Sequence, residues 1–115
     1  MGSVRVINIK KNWPTSDRVL DILEWELVKA RSEGVKAVKL IHGYGSTGVG
    51  GAIKKATRNY LAREKKAGRI REFVPGERWI CYEQPALSVL EACPDLSHDS
   101  DLRTGYNEGI TIVLL

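Results

Sequence analysis

The chain has 115 residues, of which 43% are hydrophobic and 28% are charged, and its net charge is +4. This length suits one domain with a single core, and this hydrophobic content argues against disorder. No apolar run approaches the ~20 residues of a membrane span, and the first residues lack the apolar stretch of a secretory signal. We therefore predict one cytoplasmic domain over residues 1–115 with no membrane contact.

Positive charge is concentrated in one stretch of the chain. Residues 51–71 contain eight basic side chains and one acidic side chain, whereas residues 72–115 contain two basic and eight acidic ones. A local excess of this kind predicts a polyanion partner, and the alternative is an ordinary solvated helix. The cysteines, Cys81 and Cys93, form no C-x-x-C pair, so we predict buried thiols and no zinc site.

Hydrophobic periodicity predicts an alternation of strands and helices. Alternating residues at the start of the chain indicate a strand, and an apolar stripe that includes Leu23 and Leu27 indicates the first helix. The predicted elements are strands over Val4–Lys10, Val35–Ile41, Ile70–Val74, Arg78–Tyr82 and Gly109–Leu115, a helix from Thr15 or Ser16 to Ser32, a helix over Ala52–Ala67, and a short helix over Pro85–Ala92. The first strand, helix and strand form a βαβ unit, which pairs its strands in parallel.

A glycine-rich loop, HGYGSTGVGG, joins the second predicted strand to the basic helix over residues 42–51. Glycine lets backbone N–H groups approach an anion closely, and the N-terminus of a helix favours negative charge. We predict phosphate contacts from Gly43, Tyr44, Gly45, Ser46, Thr47 and Gly48. The alternative is a connector in a tight corner.

Two known phosphate-binding motifs do not account for this loop. The spacing Gly43-x-Gly45-x-x-Gly48 matches G-x-G-x-x-G, but the loop follows the second strand, and Glu64 lies in a helix instead of ending a strand. The Gly-Lys-Ser/Thr of a Walker A loop is also missing.

Several side chains around the loop are candidates for nucleic-acid chemistry. His42 can contact a phosphate or act as a general acid or base, or it can merely hydrogen-bond the loop backbone. Tyr44 is the candidate for base stacking, and its alternative is local packing within the loop. The tryptophans Trp13, Trp25 and Trp79 are assigned to core or edge packing.

Basic side chains on the second helix add further phosphate contacts. Lys54, Arg58 and Lys65 share one helical stripe, and Lys55 lies beside it. We expect reversal of the three stripe charges to abolish nucleic-acid binding and to leave folding intact.

The segment IHGYGSTGVGGAIKKATRNYL resembles the core motif of the Smr (small MutS-related) domain family, HGxG…G…(L/I)(R/K). The segment TSDRVL resembles the family's T-x-x-x-A-L, and GYNEGITIVL resembles its closing strand. The resemblance covers residues 4–74 and 105–115. It leaves residues 75–104 as an insertion.

This resemblance implies an α/β two-layer sandwich. An approximately four-stranded mixed sheet would carry two helices on one face, in the order βαβαβ…β, with the insertion before the last strand. The family binds nucleic acid, and many members nick or cleave DNA or RNA, some of them at stalled ribosomes. The ribosome is therefore a candidate partner.

The family's L-D-x-H motif is replaced here by Ile7-Asn8-Ile9-Lys10. Asn8 cannot ionise, and lysine is a poor base at neutral pH, so the change weakens nuclease activity more than binding. Lys10 and His42 remain the candidate catalytic pair of a phosphodiester-cleaving endonuclease. No metal site or cofactor is predicted, and a divalent-metal requirement is left open, as is the choice between DNA and RNA. The alternative function is a small phosphate- or nucleotide-binding or protein-interaction module.

Overall fold

A computed structural model of the chain describes residues 4–10, 16–43, 48–80, 83–103 and 107–115. The strands are β1 (Val4–Asn8), β2 (Ala37–Ile41), β3 (Glu72–Pro75) and β4 (Ile110–Leu114), and the helices are α1 (Ser16–Ser32), α2 (Gly48–Lys66), α3 (Ala86–Ala92) and α4 (Ser100–Arg103). Single 3-10 segments occupy Gly76–Arg78 and Pro94–His98.

The strands form one mixed sheet in the order β1-β2-β4-β3. β1 and β2 are parallel, as the predicted βαβ unit requires, and β4 is antiparallel to both of its neighbours, β2 and β3. The carboxyl ends of β1 and β2 therefore lie side by side, with Asn8 opposite Ile41 in the register. This sheet with its two long helices confirms the predicted fold class.

One face of the sheet packs against α1 and α2. The apolar stripe of α1 is buried as its periodicity predicts, and Leu23 and Leu27 are at most 2% exposed. The strand residues Val38, Leu40 and Val113 meet these helices within the same core. By contrast, Trp25, which the sequence assigned to packing, is 59% exposed on α1.

The other face of the sheet is covered by the described residues between β3 and β4. Trp79, Val89 and Leu96 of this segment pack against Ile112 and Leu114 of β4, and Cys93 is buried beside them. Both faces of β4 are thus covered, and all five of its residues are buried. The predicted insertion is in this way a third layer over the sheet.

An ion-pair cluster also attaches this segment to the sheet. The Lys39 ammonium on β2 contacts Asp99 at 3.0 Å and also pairs with Asp101. Burial works to lower the pKa of Lys39, but the hydrogen bonds and charges of the two carboxylates together raise it. The buried charge of Lys39 is tolerated because the adjacent carboxylates of Asp99 and Asp101 neutralise it.

Beyond shifts of at most two residues at the ends of elements, two predicted elements differ from the structure. α2 begins at Gly48, one turn before the predicted Ala52, although glycine is a poor helix former. Packing of the later apolar stripe decides where this helix forms, and propensity does not. The predicted strand Arg78–Tyr82 is wrong up to residue 80, where the described chain has a 3-10 turn and then no regular structure. Trp79 in this stretch is nevertheless buried against β4, in agreement with its assignment to packing.

Gly76 shows why the chain turns sharply after β3. A Cβ atom at this position would lie 2.1 Å from the backbone oxygen of Asn107 and 2.7 Å from Cγ1 of Ile110. Only glycine fits such a close approach of two backbones. The turn brings Glu77, the next residue, toward the same end of the sheet as the glycine loop.

Candidate functional site

The candidate site lies where the carboxyl ends of β1 and β2 meet the N-terminal end of α2. Gly43 follows β2 with φ of +84°, a conformation that favours glycine. The exposed side chain of Lys10 lies against it, since a Cβ on Gly43 would be 3.2 Å from Lys10 Cδ. The first turn of α2 contains no acidic residue, so no carboxylate of that turn neutralises the positive end of the helix dipole.

His42 lies beneath this surface and is only 1% exposed. Its Nδ1 is 2.9 Å from the carbonyl oxygen of Gly43, and its Nε2 is 2.8 Å from the hydroxyl of Thr111. A carbonyl oxygen can only accept, so Nδ1 carries the proton and donates it to Gly43. Nε2 then accepts the hydroxyl hydrogen of Thr111, and both ring nitrogens are satisfied within the protein.

The environment of His42 keeps its ring neutral. Burial lowers the pKa of His42 to about 4, and the positive charges of Arg58 and Lys54 act in the same direction. The hydrogen bond to Gly43 opposes this shift only in part. A base with this pKa holds almost no proton at neutral pH, so it is poorly suited to donate one there.

A chain of polar contacts continues from His42 to the surface of α2. The Thr111 hydroxyl lies 3.4 Å from Nε of Arg58, whose guanidinium makes two parallel bonds of 2.6 and 2.7 Å to Glu77. Lys54 is more loosely held, at 4.0 Å from Glu77 and 3.6 Å from Glu108. The guanidinium–carboxylate pair has the two-pronged geometry that makes such contacts strong.

The charge state of Glu77 follows from these contacts. Burial works to raise the pKa of Glu77, but the hydrogen bond and charge of Arg58, with the charge of Lys54, outweigh it and the pKa is lowered. Glu77 is therefore ionised at neutral pH and neutralises cations that the sequence alone leaves free.

Backbone hydrogen bonds fix the start of the glycine loop. The carbonyl oxygen of Gly109 accepts the N–H of His42 at 3.0 Å and the N–H of Gly43 at 3.1 Å. The position of Asn8, where the resembling family has an acid, is exposed, and its side-chain oxygen accepts the N–H of Lys10 at 3.1 Å. The side chain of Asn8 thus stabilises the turn that presents Lys10.

The predicted site residues divide into three groups. Lys10, His42, Gly43, Lys54 and Arg58 come together at one end of the sheet. Lys65 pairs instead with Glu72 at 2.8 Å, and Lys55 is exposed. Gly48 begins α2, whereas Tyr44, Gly45, Ser46 and Thr47 lie outside the described residues.

The ion pairs change one expectation drawn from the sequence. Reversing Lys54, Arg58 and Lys65 would set new carboxylates against Glu77, Glu108 and Glu72, so folding would not be left intact. Sequence reasoning also missed Thr111 and Glu77. Thr111 is the one polar residue in the closing strand ITIVL, which is the signal that could have identified it.

Further features of the described residues bear on ligands. No group of three or more His, Cys, Asp or Glu side chains is arranged to hold a metal ion within the described ranges. None of the helices in that part of the chain has the length and apolar character to cross a membrane.

The chain is similar to known proteins both in sequence and in fold. The family model described as the Smr domain matches residues 14–78. The crystal structure of the Smr domain of Thermus thermophilus MutS2 is similar to this chain with a TM-score of 0.59 and 22% sequence identity, and the match covers 96% of each chain. At this identity the likeness shows a common fold. A search of curated proteins found no match.

Proposed function

Because the chain belongs to the Smr domain family, whose members generally bind nucleic acid, we propose that it binds a nucleic-acid strand at the glycine-loop end of the sheet. The phosphate backbone is the part of the ligand that this end recognises. Contacts with phosphate position a strand without reading its sequence, so the proposal covers both DNA and RNA.

One observation carries the proposal: an exposed lysine lies against Gly43 at the approach to a helix N-terminus that has no acid in its first turn. The described residues place no carboxylate within 4 Å of the Lys10 ammonium. A cation, a glycine backbone and a helix N-terminus at the carboxyl ends of parallel strands favour a bound anion. Lys55 adds a second exposed cation on the first turns of α2.

In this proposal His42 is a positioning residue. Its two hydrogen bonds join the start of the loop to the buried Thr111, and its ring is neutral at pH 7. That arrangement suits a residue that holds the loop backbone, and it does not suit the acid–base role that the sequence suggested. Endonuclease activity, if present, would depend on other groups, with Lys10 placed to stabilise developing negative charge.

The test is a set of binding titrations over a salt series. Fluorescently labelled single-stranded RNA, single-stranded DNA and duplex DNA are each titrated with the protein, with and without magnesium. We expect affinity that falls steeply with salt, because each phosphate contact releases counterions. The same mixtures are run on denaturing gels to detect cleaved product.

Lys10→Gln separates a phosphate contact from a general charge effect. We expect it to weaken binding by about 1 kcal/mol, or roughly fivefold in Kd, and to lower the salt slope by about 1. Lys66→Gln is the matched control, because Lys66 is an exposed lysine on the last turn of α2, about 16 Å from Lys55 along the helix. Equal losses of affinity for both variants would contradict a phosphate contact by Lys10 at the glycine-loop end. Salt-independent binding of a mononucleotide without strand binding would support the small-ligand alternative.

A further inference from the structure

A second cationic surface lies at the opposite end of the sheet. An open groove of about 560 Å³ is lined by Arg31 from the end of α1, Lys36 immediately before β2 and Arg71 immediately before β3. Ser88 and Glu91 of α3 line its other side. The third layer thus contributes one wall of this groove.

Hydrogen bonds fix the backbone from which two of these cations extend and hold the side chain of the third. The N–H of Leu115 donates to the carbonyl of Lys36 at 2.9 Å, and the N–H of Arg71 donates to the carbonyl of Leu114 at 2.8 Å. The guanidinium of Arg31 contacts the backbone oxygen of Arg69. A guanidinium has five N–H donors, so this contact leaves most of them available.

The cations of the groove form no ion pair with the described residues, and the charge of Arg31 acts on the more distant Glu64. Within the part of the chain that the structure describes, no carboxylate lies within 4 Å of Arg31, Lys36 or Arg71. Glu91 is the single acidic side chain in the lining. Three basic side chains against one acidic side chain give the lining a net positive side-chain charge, and a cleft focuses the resulting field.

The distance between the two cationic surfaces suits one extended polyanion. Lys36 and His42 flank β2 and are six residue steps apart, which corresponds to about 20 Å in a strand. One strand of a duplex has a phosphate every ~3.4 Å, so about six phosphates cover this span. A strand that reaches from the glycine loop to the groove is therefore of ordinary length.

We propose that the groove lined by Arg31, Lys36 and Arg71 is a second phosphate-binding surface, which holds the backbone of the nucleic acid bound at the glycine-loop end. This inference rests on the proposed function, because it assigns a further part of the same ligand. Arginine binds phosphate through two parallel N–H bonds, and lysine binds it as a point charge. The groove thereby adds affinity and fixes the direction of the strand across the domain.

The double variant Lys36→Gln/Arg71→Gln tests the groove. It breaks no ion pair among the described residues, so thermal unfolding should stay as in the unchanged protein. With a labelled single strand long enough to span about 20 Å, we expect the salt slope to fall by about 1.4 and Kd to rise roughly tenfold. The control is Lys29→Gln/Arg63→Gln, which removes the same charge from two exposed side chains that do not line the groove.

The outcomes separate this inference from the proposed function. If the unchanged protein shows no salt-sensitive binding, the proposed function fails and the groove inference fails with it. If the unchanged protein binds but the groove variant binds equally well, the groove inference alone is wrong. A control variant that loses as much as the groove variant also overturns it, because the loss then reflects net charge.

Removal of a negative charge from the groove is an independent test, because it should strengthen binding. Glu91→Gln removes the one acidic side chain of the lining, and we expect Kd to fall roughly two- to threefold through reduced repulsion. Glu83→Gln is the control, because Glu83 is an exposed acid of the same layer that does not line the groove. Unchanged or weaker binding by the Glu91 variant would contradict the groove inference.

Discussion

The α2 cations Arg58 and Lys54 at one end of the sheet differ in their pairing from the groove cations at the other end, whereas Lys10 at the glycine-loop end resembles the groove cations. At the glycine-loop end, Arg58 and Lys54 face the carboxylates of Glu77 and Glu108, whereas Lys36 and Arg71 at the groove end have no such partner among the described residues. Both ends are rich in basic side chains. Charge density along the chain therefore does not measure the charge that is available to a ligand.

The basic stretch over residues 51–71 illustrates the same lesson. Four of its eight cations form ion pairs with acids of this chain: Lys54, Arg58, Lys65 and Arg69. Two of the three groove cations, Arg31 and Lys36, lie outside the stretch. An internal partner raises stability but occupies the donors that a phosphate would use.

The largest expected effect concerns pH and the glycine-loop end. The pKa of His42 is lowered from 6.5 to about 4 in the folded protein, so the unfolded chain binds a proton first as the pH falls. Stability should be constant with respect to this group above pH 6.5 and should fall by about 3 kcal/mol between pH 6.5 and 4. Urea titrations at several pH values measure this loss.

The control for this prediction is the second histidine. His98 is exposed, so His98→Gln should leave the pH dependence in place, whereas His42→Gln should reduce its slope by one proton in this window. An unchanged slope in the His42 variant would mean that the ring is not buried in its neutral form.

A smaller effect on stability is expected when one positive charge is reversed at each end of the sheet. Arg58→Glu places a carboxylate against Glu77 in a partly buried site, and we expect a loss of about 2 kcal/mol in the free energy of unfolding. Arg71→Glu makes the same change on an exposed side chain of the groove and should cost no more than about 0.5 kcal/mol. Equal losses of stability would remove the distinction between the paired Arg58 and the unpaired Arg71.

The smallest effect compares two buried hydroxyls. Thr111 and Thr57 are both 0% exposed, but the hydroxyl of Thr111 meets His42 and Arg58, whereas that of Thr57 has no partner in the described structure. Thr111→Val should cost about 1 kcal/mol, because it leaves His42 without a donor. Thr57→Val should be neutral or stabilising, because it removes an unsatisfied group. Thermal unfolding of both variants measures the difference, and a larger loss at Thr57 would refute it.

Local pattern was sufficient for most of the elements. The stripe of α1 and the alternation of β1 follow from side-chain periodicity, which depends only on neighbouring residues. The start of α2 at Gly48 was missed, because glycine opposes a helix locally while packing of Ile53 and Leu61 favours it.

Part of the candidate site was predictable from local sequence pattern. Lys10, His42 and Gly43 lie next to strand ends, so the βαβ pattern alone brings them close together. Glu77 and Thr111 reach this site only through the turn at Gly76 and the pairing of β4 with β2. Both of these also depend on residues far from the loop in sequence, at Gly76 and in β4.

The sequence by itself therefore determined the fold class, the long helices, the glycine loop and its family, because these depend on periodicity and on contiguous motifs. Tertiary structure decided that residues 76–80 and 83–103 cover the second face of the sheet, that His42 is buried with both nitrogens bonded, and which cations keep their charge exposed. Burial and ion pairing depend on contacts between residues far apart in the chain, such as Arg58 with Thr111, and no local pattern contains them.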